Sequence, residues 1–414
     1  VPAETVSNLT DLLKEVWTQD RLEKQFYGET RFLDRIEKTS KYTIGREALV
    51  PIEARLPGGD SSVPASGSSS LNAADDLAVD RADYDITHHW RQVALEAAVL
   101  NQADSVGVRS TVDSMDQTVV SNLLGMRKNL NRQVVSNGDA LIAQCAAGAA
   151  NTTVLLDPAG YGYDAIVRGW IRPGMTVDIG TTANEVAVAD AVTISSVSES
   201  SSAPSFVASA SVTETANDYV SIANARAGTT SYEANGLRTI AGSTTTAVGG
   251  LDPDTAGEEF WKPATVDTTT TVPSLDLLLD LQRGVYQKTG GWPTYITTSP
   301  KVAADLYALF QSQVRFTGDN TKAGNAHAFT WNGLEINVDP DIPDRELYLL
   351  TLDDFLVVTG GQYSKPTWAS DIEGSGGKLR WSQGSTKFVD AVYYAMNVAI
   401  KRRNSHAAAI ALTG

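Results

Sequence analysis

The chain has 414 residues, 42% of them hydrophobic and 20% charged, with a formal net charge of -16. That length suits two or three domains, and the acidic balance disfavours general adhesion to DNA or RNA, which needs a basic face. The single cysteine, Cys145, excludes an internal disulfide framework and a cysteine-based zinc site.

Ser, Thr, Ala, Gly and Val fill much of the remainder, a mix that favours strands and loops over a charged helical bundle. An acidic wall is also compatible with enclosing a polyanion without adhering to it. No stretch approaches the roughly 18 consecutive apolar residues of a membrane helix. The first residue is Val1, with no signal-peptide pattern, so either initiator Met removal or cleavage of a longer leader is expected.

Val6, Leu9, Leu13, Val16 and Trp17 recur at helical spacing and predict an amphipathic N-terminal helix, ended near Gly28. Residues 30–41 carry Phe32, Leu33 and Ile36 among mixed charges, then give way to extended sequence at 42–44. Residues 49–90 read "LVPIEARLPGGDSSVPASGSSSLNAADDLAVDRADYDITHHW", a strand, a long polar tip and a returning strand. Pro51 excludes a central strand position. Pro57-Gly58-Gly59-Asp60 breaks the outward leg, and residues 61–70 are rich in Ser, Gly and Pro. The return leg alternates, with Tyr84, Ile86 and His88 on one side and Asp83, Asp85 and Thr87 on the other. Each leg can reach about 30 Å, yet the arm is too polar to build a core of its own.

Residues 104–145 carry one helical pattern. Its stripe is Val112, Met115, Val119, Leu123, Met126 and Leu130, widened by Val120, Leu124 and Val134. Gly125 weakens the helix locally and Gly138 marks a break. Cys145, next to Leu141, Ile142 and alanines, reads as a buried, inert thiol. Residues 165–241 change to short β-runs between turn residues, the signature of a small barrel or sandwich. Helical signals return at Ser274, an N-cap for "LDLLLDLQRGVYQ". "TYITTSP" is a buried strand running into a second helix, with Ser299 as N-cap and Pro300 at the first position. Residues 334–360 read strand, loop, strand. The end of the chain is a long apolar strand or strand pair interrupted by Lys401-Arg402-Arg403.

A search for chemistry finds little. "EGSGGKLRW" offers Gly377-Lys378, but Leu379 stands where a phosphate loop needs a hydroxyl and Ile372 stands at its first glycine. There is no GxSxG elbow. His88 and His89 are adjacent on a strand and so point to opposite faces. His327 and His406 complete the set. "DPDIPDRE", residues 339–346, has alternating carboxylates, but Pro340 and Pro343 spoil a calcium loop, which leaves a solvated turn. Asp75-Asp76 reads as a solvated loop. Lys401-Arg402-Arg403 reads as a surface or subunit contact rather than a nucleic-acid contact.

The order of an N-terminal arm, an extended loop, a spine helix and α/β and β parts resembles the major capsid protein of tailed bacteriophages, a fold shared with herpesvirus shells and encapsulins. The helix–"PTYITTSP"–helix stretch and the "NGLEINVDPDIP…LYLLTLDDF" stretch carry the likeness most strongly. The resemblance implies an α+β phage major capsid protein fold. Its parts would be an N-terminal arm (1–47), an extended loop (48–90), and a peripheral domain whose first part (91–149) holds the long spine helix. An axial domain would begin at 150–164, be interrupted by an inserted β-barrel-like domain (165–241), and resume at 242–360. Residues 361–414 would return to the peripheral domain.

It also implies that the loop lies across a neighbouring subunit, so that Leu49, Ile52 and Leu56 are buried only on assembly. Arg55, Asp60, Tyr84 and Trp90 join them as expected subunit-contact residues. Some family members weld this loop through a Lys–Asn bond, but here no lysine lies between Lys41 and Lys128, so a non-covalent shell is expected. The implied protein is non-enzymatic and needs no cofactor or metal. It forms hexamers and pentamers around double-stranded DNA as enclosed cargo. Scaffolding, decoration and portal proteins are its partners, it has no membrane partner, and it is assembled in the host cytoplasm into a virion capsid. An encapsulin-like compartment shell and a secreted, β-rich binding module are the alternatives; the second gives no role to the long helix.

Overall fold

The structure, a computed structural model, describes residues 31–55, 78–96, 108–148, 150–159, 161–216, 218–268, 272–311, 330–360, 367–368, 380–381 and 386–413. The expected N-terminal helix, the tip of the arm, Asp75-Asp76, His327 and the Gly377-Lys378 loop lie outside these residues.

One six-stranded sheet is organised by the strand Lys387–Ile400. Its residues from Val392 to Ile400 are all buried, as a near-continuous apolar run demands of a strand covered on both faces. Thr87–Glu96 pairs with it antiparallel along its whole length, from Lys387 opposite Glu96 to Met396 opposite Thr87. Phe355–Thr359 pairs antiparallel with its other end, and Glu37–Thr39 adds to Phe355–Thr359 in parallel.

A second sheet has Tyr295–Thr298 near its centre, beside Leu334–Val338 in parallel and Leu347–Leu350 antiparallel. The helices Leu275–Thr289 and Pro300–Gln311 cover it, burying Leu278, Leu281, Val285, Val302 and Leu306. Both expected caps form. Ser274 Oγ accepts from Leu277 N–H and Ser299 Oγ from Val302 N–H, each at 3.2 Å. The chain crosses between the two sheets twice near its end. Phe355–Thr359 leaves the second sheet's neighbourhood for the first, and Ala407–Ala409 returns from the first to pair with Leu347–Leu350. The three alanines are buried between Thr265–Asp267, in parallel, and Leu347–Leu350, antiparallel.

The spine helix is Val108–Val135, shorter than the pattern over 104–145 suggests. Met126, Leu130 and Val134 of the predicted stripe are buried, while Leu123 is exposed. Gly138 and Ala140 have positive φ and turn the chain out of the helix. A side chain at Gly138 would lie 2.6 Å from the Ala234 carbonyl, so the turn admits only glycine. The apolar residues after it form the strand Leu141–Gln144 instead.

That strand opens a β-unit whose strands run from Leu141 to Ile222. Six strands run in the order Leu141–Gln144, Tyr219–Ile222, Thr176–Gly180, Ala189–Ser198, Ser205–Val212, Asn151–Leu155. A bridge between Cys145 and Leu156 joins the first to the last and closes the sheet. The interior is filled by side chains, among them Val154, Val177, Ile179, Ile194, Phe206 and Val220, as in other small barrels. Leu237–Ala241, in contrast, packs in the main core with the spine helix and Tyr84.

Candidate assembly surface

The arm is a hairpin of Glu47–Arg55 and Ala78–Asp85. Alternation sets which residues face inward: Ala48, Val50, Ile52, Ala82 and Tyr84 all enter the main core. Pro51 lies where its strand has the return leg opposite it at Arg81 and has passed the short pairing with Thr43–Ile44, so its missing N–H is harmless. Hydrogen bonds pin the root to the body, among them one from Asn397 Nδ2 to the Asp85 carbonyl at 2.6 Å. Tyr84 Oη donates to the Ile400 carbonyl and accepts from the Ile400 N–H, both at 3.2 Å, and Asp83 N–H donates to the Gly249 carbonyl at 2.8 Å. Burial pushes the Tyr84 phenol well above its usual range, so it stays neutral in this role.

The expected contact residues therefore divide. Ile52 is 7% exposed and Tyr84 1% exposed within one subunit. Ile52 is therefore not buried only on assembly, and Tyr84 is already buried in one subunit; the strand period turns both toward the chain's own core. Leu49 is half-buried, Arg55 ends the outward strand opposite Ala78, and Leu56 and Asp60 lie outside the described residues. Trp90 does not belong to the arm. It lies in the strand Thr87–Glu96, directly opposite Tyr393, and is 59% exposed.

The exposed Trp90 ring lies on a buried tyrosine. Its ring centroid is 4.4 Å from that of Tyr393, and His88 stacks on the same tyrosine. The His88 Nδ1 and Tyr393 Oη lie 2.6 Å apart. His89, on the opposite face, contacts Thr87 Oγ1 at 2.9 Å, and burial pushes its imidazole down to about 4. The two histidines thus point apart, as adjacent strand residues must. Ile44, beside the arm's root, and Val79, at the far end of its described return strand, are also large exposed apolar side chains. The sequence reading missed both, because an outward apolar residue in a hairpin looks like any other strand residue.

The groups weighed for chemistry are structural. Lys401-Arg402-Arg403 is not a free basic surface: Lys401 Nζ donates to the Asp353 carbonyl, Arg402 Nε to both Asp354 oxygens, and the buried Arg403 to four backbone carbonyls. His406 is buried, accepts at Nδ1 from the Thr351 N–H, and is pushed down to about 3 by burial and by Arg402 and Arg403, so it is neutral. Burial pushes the Cys145 thiol up to about 12.

The 339–346 segment is not the solvated turn that its sequence suggests. Asp339, Asp341 and Glu346 are all buried. Asp339 receives the N–H groups of Asp341 at 2.9 Å and Phe32 at 3.3 Å. Asp341 receives Asn131 Nδ2 from the spine helix at 2.6 Å and Trp170 Nε1 from the β-barrel at 3.2 Å. Glu346 receives Tyr161 and Tyr348 hydroxyls. The two prolines that spoil a calcium loop shape a junction where the main parts of the chain meet. Among the described residues no group of three or more His, Cys, Asp or Glu could hold a metal ion, and no helix is long and apolar enough to cross a membrane.

No family model matches the sequence, and no curated protein matches it. The fold has solved counterparts. The capsid asymmetric unit of cyanophage A-1(L) superposes with a TM-score of 0.57 at 12% identity, covering 96% of each chain. The capsid of the native GTA particle superposes with a TM-score of 0.50 at 8% identity, over 96% of this chain and 95% of that one. The holo-SrpI encapsulin complex from Synechococcus elongatus PCC 7942 has a TM-score of 0.48 at 7% identity, over 100% of this chain and 96% of that one. The chain has the α+β fold of tailed-phage major capsid proteins.

Proposed function

We propose that this chain is the major structural protein of a tailed-phage capsid, self-assembling into hexamers and pentamers of an icosahedral shell around double-stranded DNA. The observation that carries the reading is end-to-end likeness to the capsid subunit of cyanophage A-1(L), over 96% of both chains. An arm whose root is locked into its own core also supports the reading. In this account Leu49, Arg55, Leu56, Asp60 and Trp90 meet a neighbouring subunit, together with Ile44 and Val79. Ile52 and Tyr84 hold the arm's root at a fixed angle. The protein acts without catalysis. Scaffolding, decoration and portal proteins are its partners, in the cytoplasm of a bacterial host.

Negative-stain electron microscopy of the protein expressed alone and with its neighbouring genes tests this. Closed shells or sheets of hexagonal rings are expected, with DNA rather than enzymes inside particles from infected cells. A strict monomer in both preparations would refute the shell reading, and protein cargo would redirect it to a compartment shell.

A further inference from the structure

Four of the chain's 33 cationic side chains converge on one cavity. It has a volume of about 490 Å³ and opens between the strand Thr87–Glu96, the spine helix and the barrel turn at residues 169–176. Arg91, Lys128, Arg132 and Arg172 line it, with Asn122 and Trp90; no carboxylate lines it among the described residues. In a chain with 49 acidic residues that concentration needs a cause.

Two of the four are offset by acids: Arg132 is ion-paired with the buried Glu233, and Asp341 acts on Lys128. Arg91 and Arg172 donate to neutral oxygens, Arg91 Nε to Asn122 Oδ1 at 3.1 Å and Arg172 to the Gly169 carbonyl at 3.1 Å. Burial lowers the affinity of both for their protons, and each feels a neighbouring arginine: Arg172 acts on Arg91, and Arg132 on Arg172. Cations crowded in a partly desolvated cavity repel one another unless an anion joins them.

The fold also makes room for this arrangement. Gly125 sits mid-helix, where glycine costs about 1 kcal/mol relative to alanine. A Cβ there would lie 2.8 Å from an Arg91 guanidinium nitrogen. Arg91 thus lies directly against the spine helix at Gly125, on the wall of the cavity.

We propose that this cavity is a phosphate-binding site. A phosphate dianion matches the surplus of positive charge better than a single carboxylate. Arginine's planar fork suits its tetrahedral face of oxygens. The phosphate belongs either to a small ligand such as inorganic phosphate or pyrophosphate, or to a nucleic-acid strand. The site stands whether or not the chain forms a shell.

The test uses the full chain as dissociated subunits at low ionic strength, probed with pyrophosphate by melting temperature and by ³¹P NMR line width. A saturable rise in melting temperature and broadening of the ³¹P resonance are expected, and chloride at equal ionic strength should give neither. Arg91→Gln and Arg172→Gln should each weaken binding roughly tenfold or more, since each removes a charge-assisted contact. The double variant should abolish binding. Arg283→Gln, at an exposed helical pair with Asp280, should bind like the wild type. Without pyrophosphate the cavity variants should melt no lower than the wild type, because a repulsion has been removed. Should either fail to fold, Arg91→Lys and the wild-type ³¹P titration carry the test.

Displacement of pyrophosphate by a ten-residue oligothymidylate would assign the site to nucleic-acid phosphates, and failure to displace it to a small phosphate. The proposal is overturned if pyrophosphate gives no saturable response, or if the folded double variant responds as the wild type does. It is equally overturned if succinate binds as tightly as pyrophosphate, which would make the occupant a protein carboxylate.

Discussion

Replacing Arg403 by alanine should be among the most damaging single changes in the chain. Its guanidinium donates to the carbonyls of Ile240 at 2.8 Å, Thr246 at 2.7 Å, Thr239 at 2.9 Å and Ser243 at 2.7 Å. Two of these end the short helix Leu237–Ala241, whose last carbonyls lack helical partners. Hydrogen bonds from a charged donor contribute about 1.5–3 kcal/mol each, so four give roughly 6–12 kcal/mol before desolvation. Burial pushes the Arg403 guanidinium down to about 10, and at about 1.4 kcal/mol per pKa unit that offsets roughly 3 kcal/mol. With some relaxation of the orphaned carbonyls, the net loss should be about 3–5 kcal/mol, as for other buried charged networks. Urea unfolding of dissociated subunits, followed by tryptophan fluorescence, reads the change directly. Lysine at 403 should recover only part of it, because three donors on a point charge cannot serve four carbonyls. Arg402→Ala, at an exposed side chain, should cost no more than about 1 kcal/mol. If Arg403→Ala falls within that same range, the hub does not anchor this region and the reasoning fails.

Gly249→Ala should loosen the root of the arm by about 2 kcal/mol. Gly249 has a φ of 64°, and an added Cβ would meet Ala82 at 2.8 Å and the Tyr84 ring at 2.9 Å; faster amide exchange in Glu47–Arg55 would report it. Asp339 is raised from 3.8 to about 6, first by burial and then by Asp341. Between those values the unfolded chain has released a proton that the native chain still holds, so this group weakens the fold as pH rises from 4 to 6 and adds nothing further above 6. Stability relative to Asp339→Asn should therefore fall by roughly 3 kcal/mol over that window, and a flat difference would rule this out. Trp90→Glu should leave the melting temperature almost unchanged yet block assembly, since the ring rests on Tyr393 but is mostly in solvent; unaltered shells in the microscope would remove Trp90 from the contact surface. Removing residues 58–72 should leave near-normal circular dichroism and no closed shells, whereas global unfolding would count against the arm reading.

Local signals carried much of the fold. Ser274, Ser299 and Pro300 start their helices because capping depends on a few adjacent residues. The strand at Tyr295–Thr298 and the long apolar strand at the chain's end were legible from runs too apolar to face water. Long-range closure was not legible. Nothing near Leu141 says that it will pair with Tyr219–Ile222 rather than extend a helix; a glycine at positive φ and the barrel's need for a first strand decide it. The 339–346 carboxylates look solvated in sequence because their donors, Asn131 and Trp170, lie roughly 170–210 positions away. The arm was visible as an arm, but which of its residues face home depended on a core supplied by distant segments. The cationic cavity left no local trace at all, since its four cations come from a strand, a helix and a turn.

The pairing of Thr87 with Met396 spans 309 positions, and it sets a timetable for synthesis. The strand Thr87–Glu96 emerges early in translation and waits for Lys387–Ile400, while the second sheet waits for Ala407–Ala409. Contacts of such separation form late because the loop between them must first be closed. An unfinished chain therefore cannot complete either sheet or present Trp90 on a stacked Tyr393. The fold should act as an inspection step, excluding truncated products from any assembly: chains stopped before residue 387 and co-expressed with the full chain should be absent from purified particles.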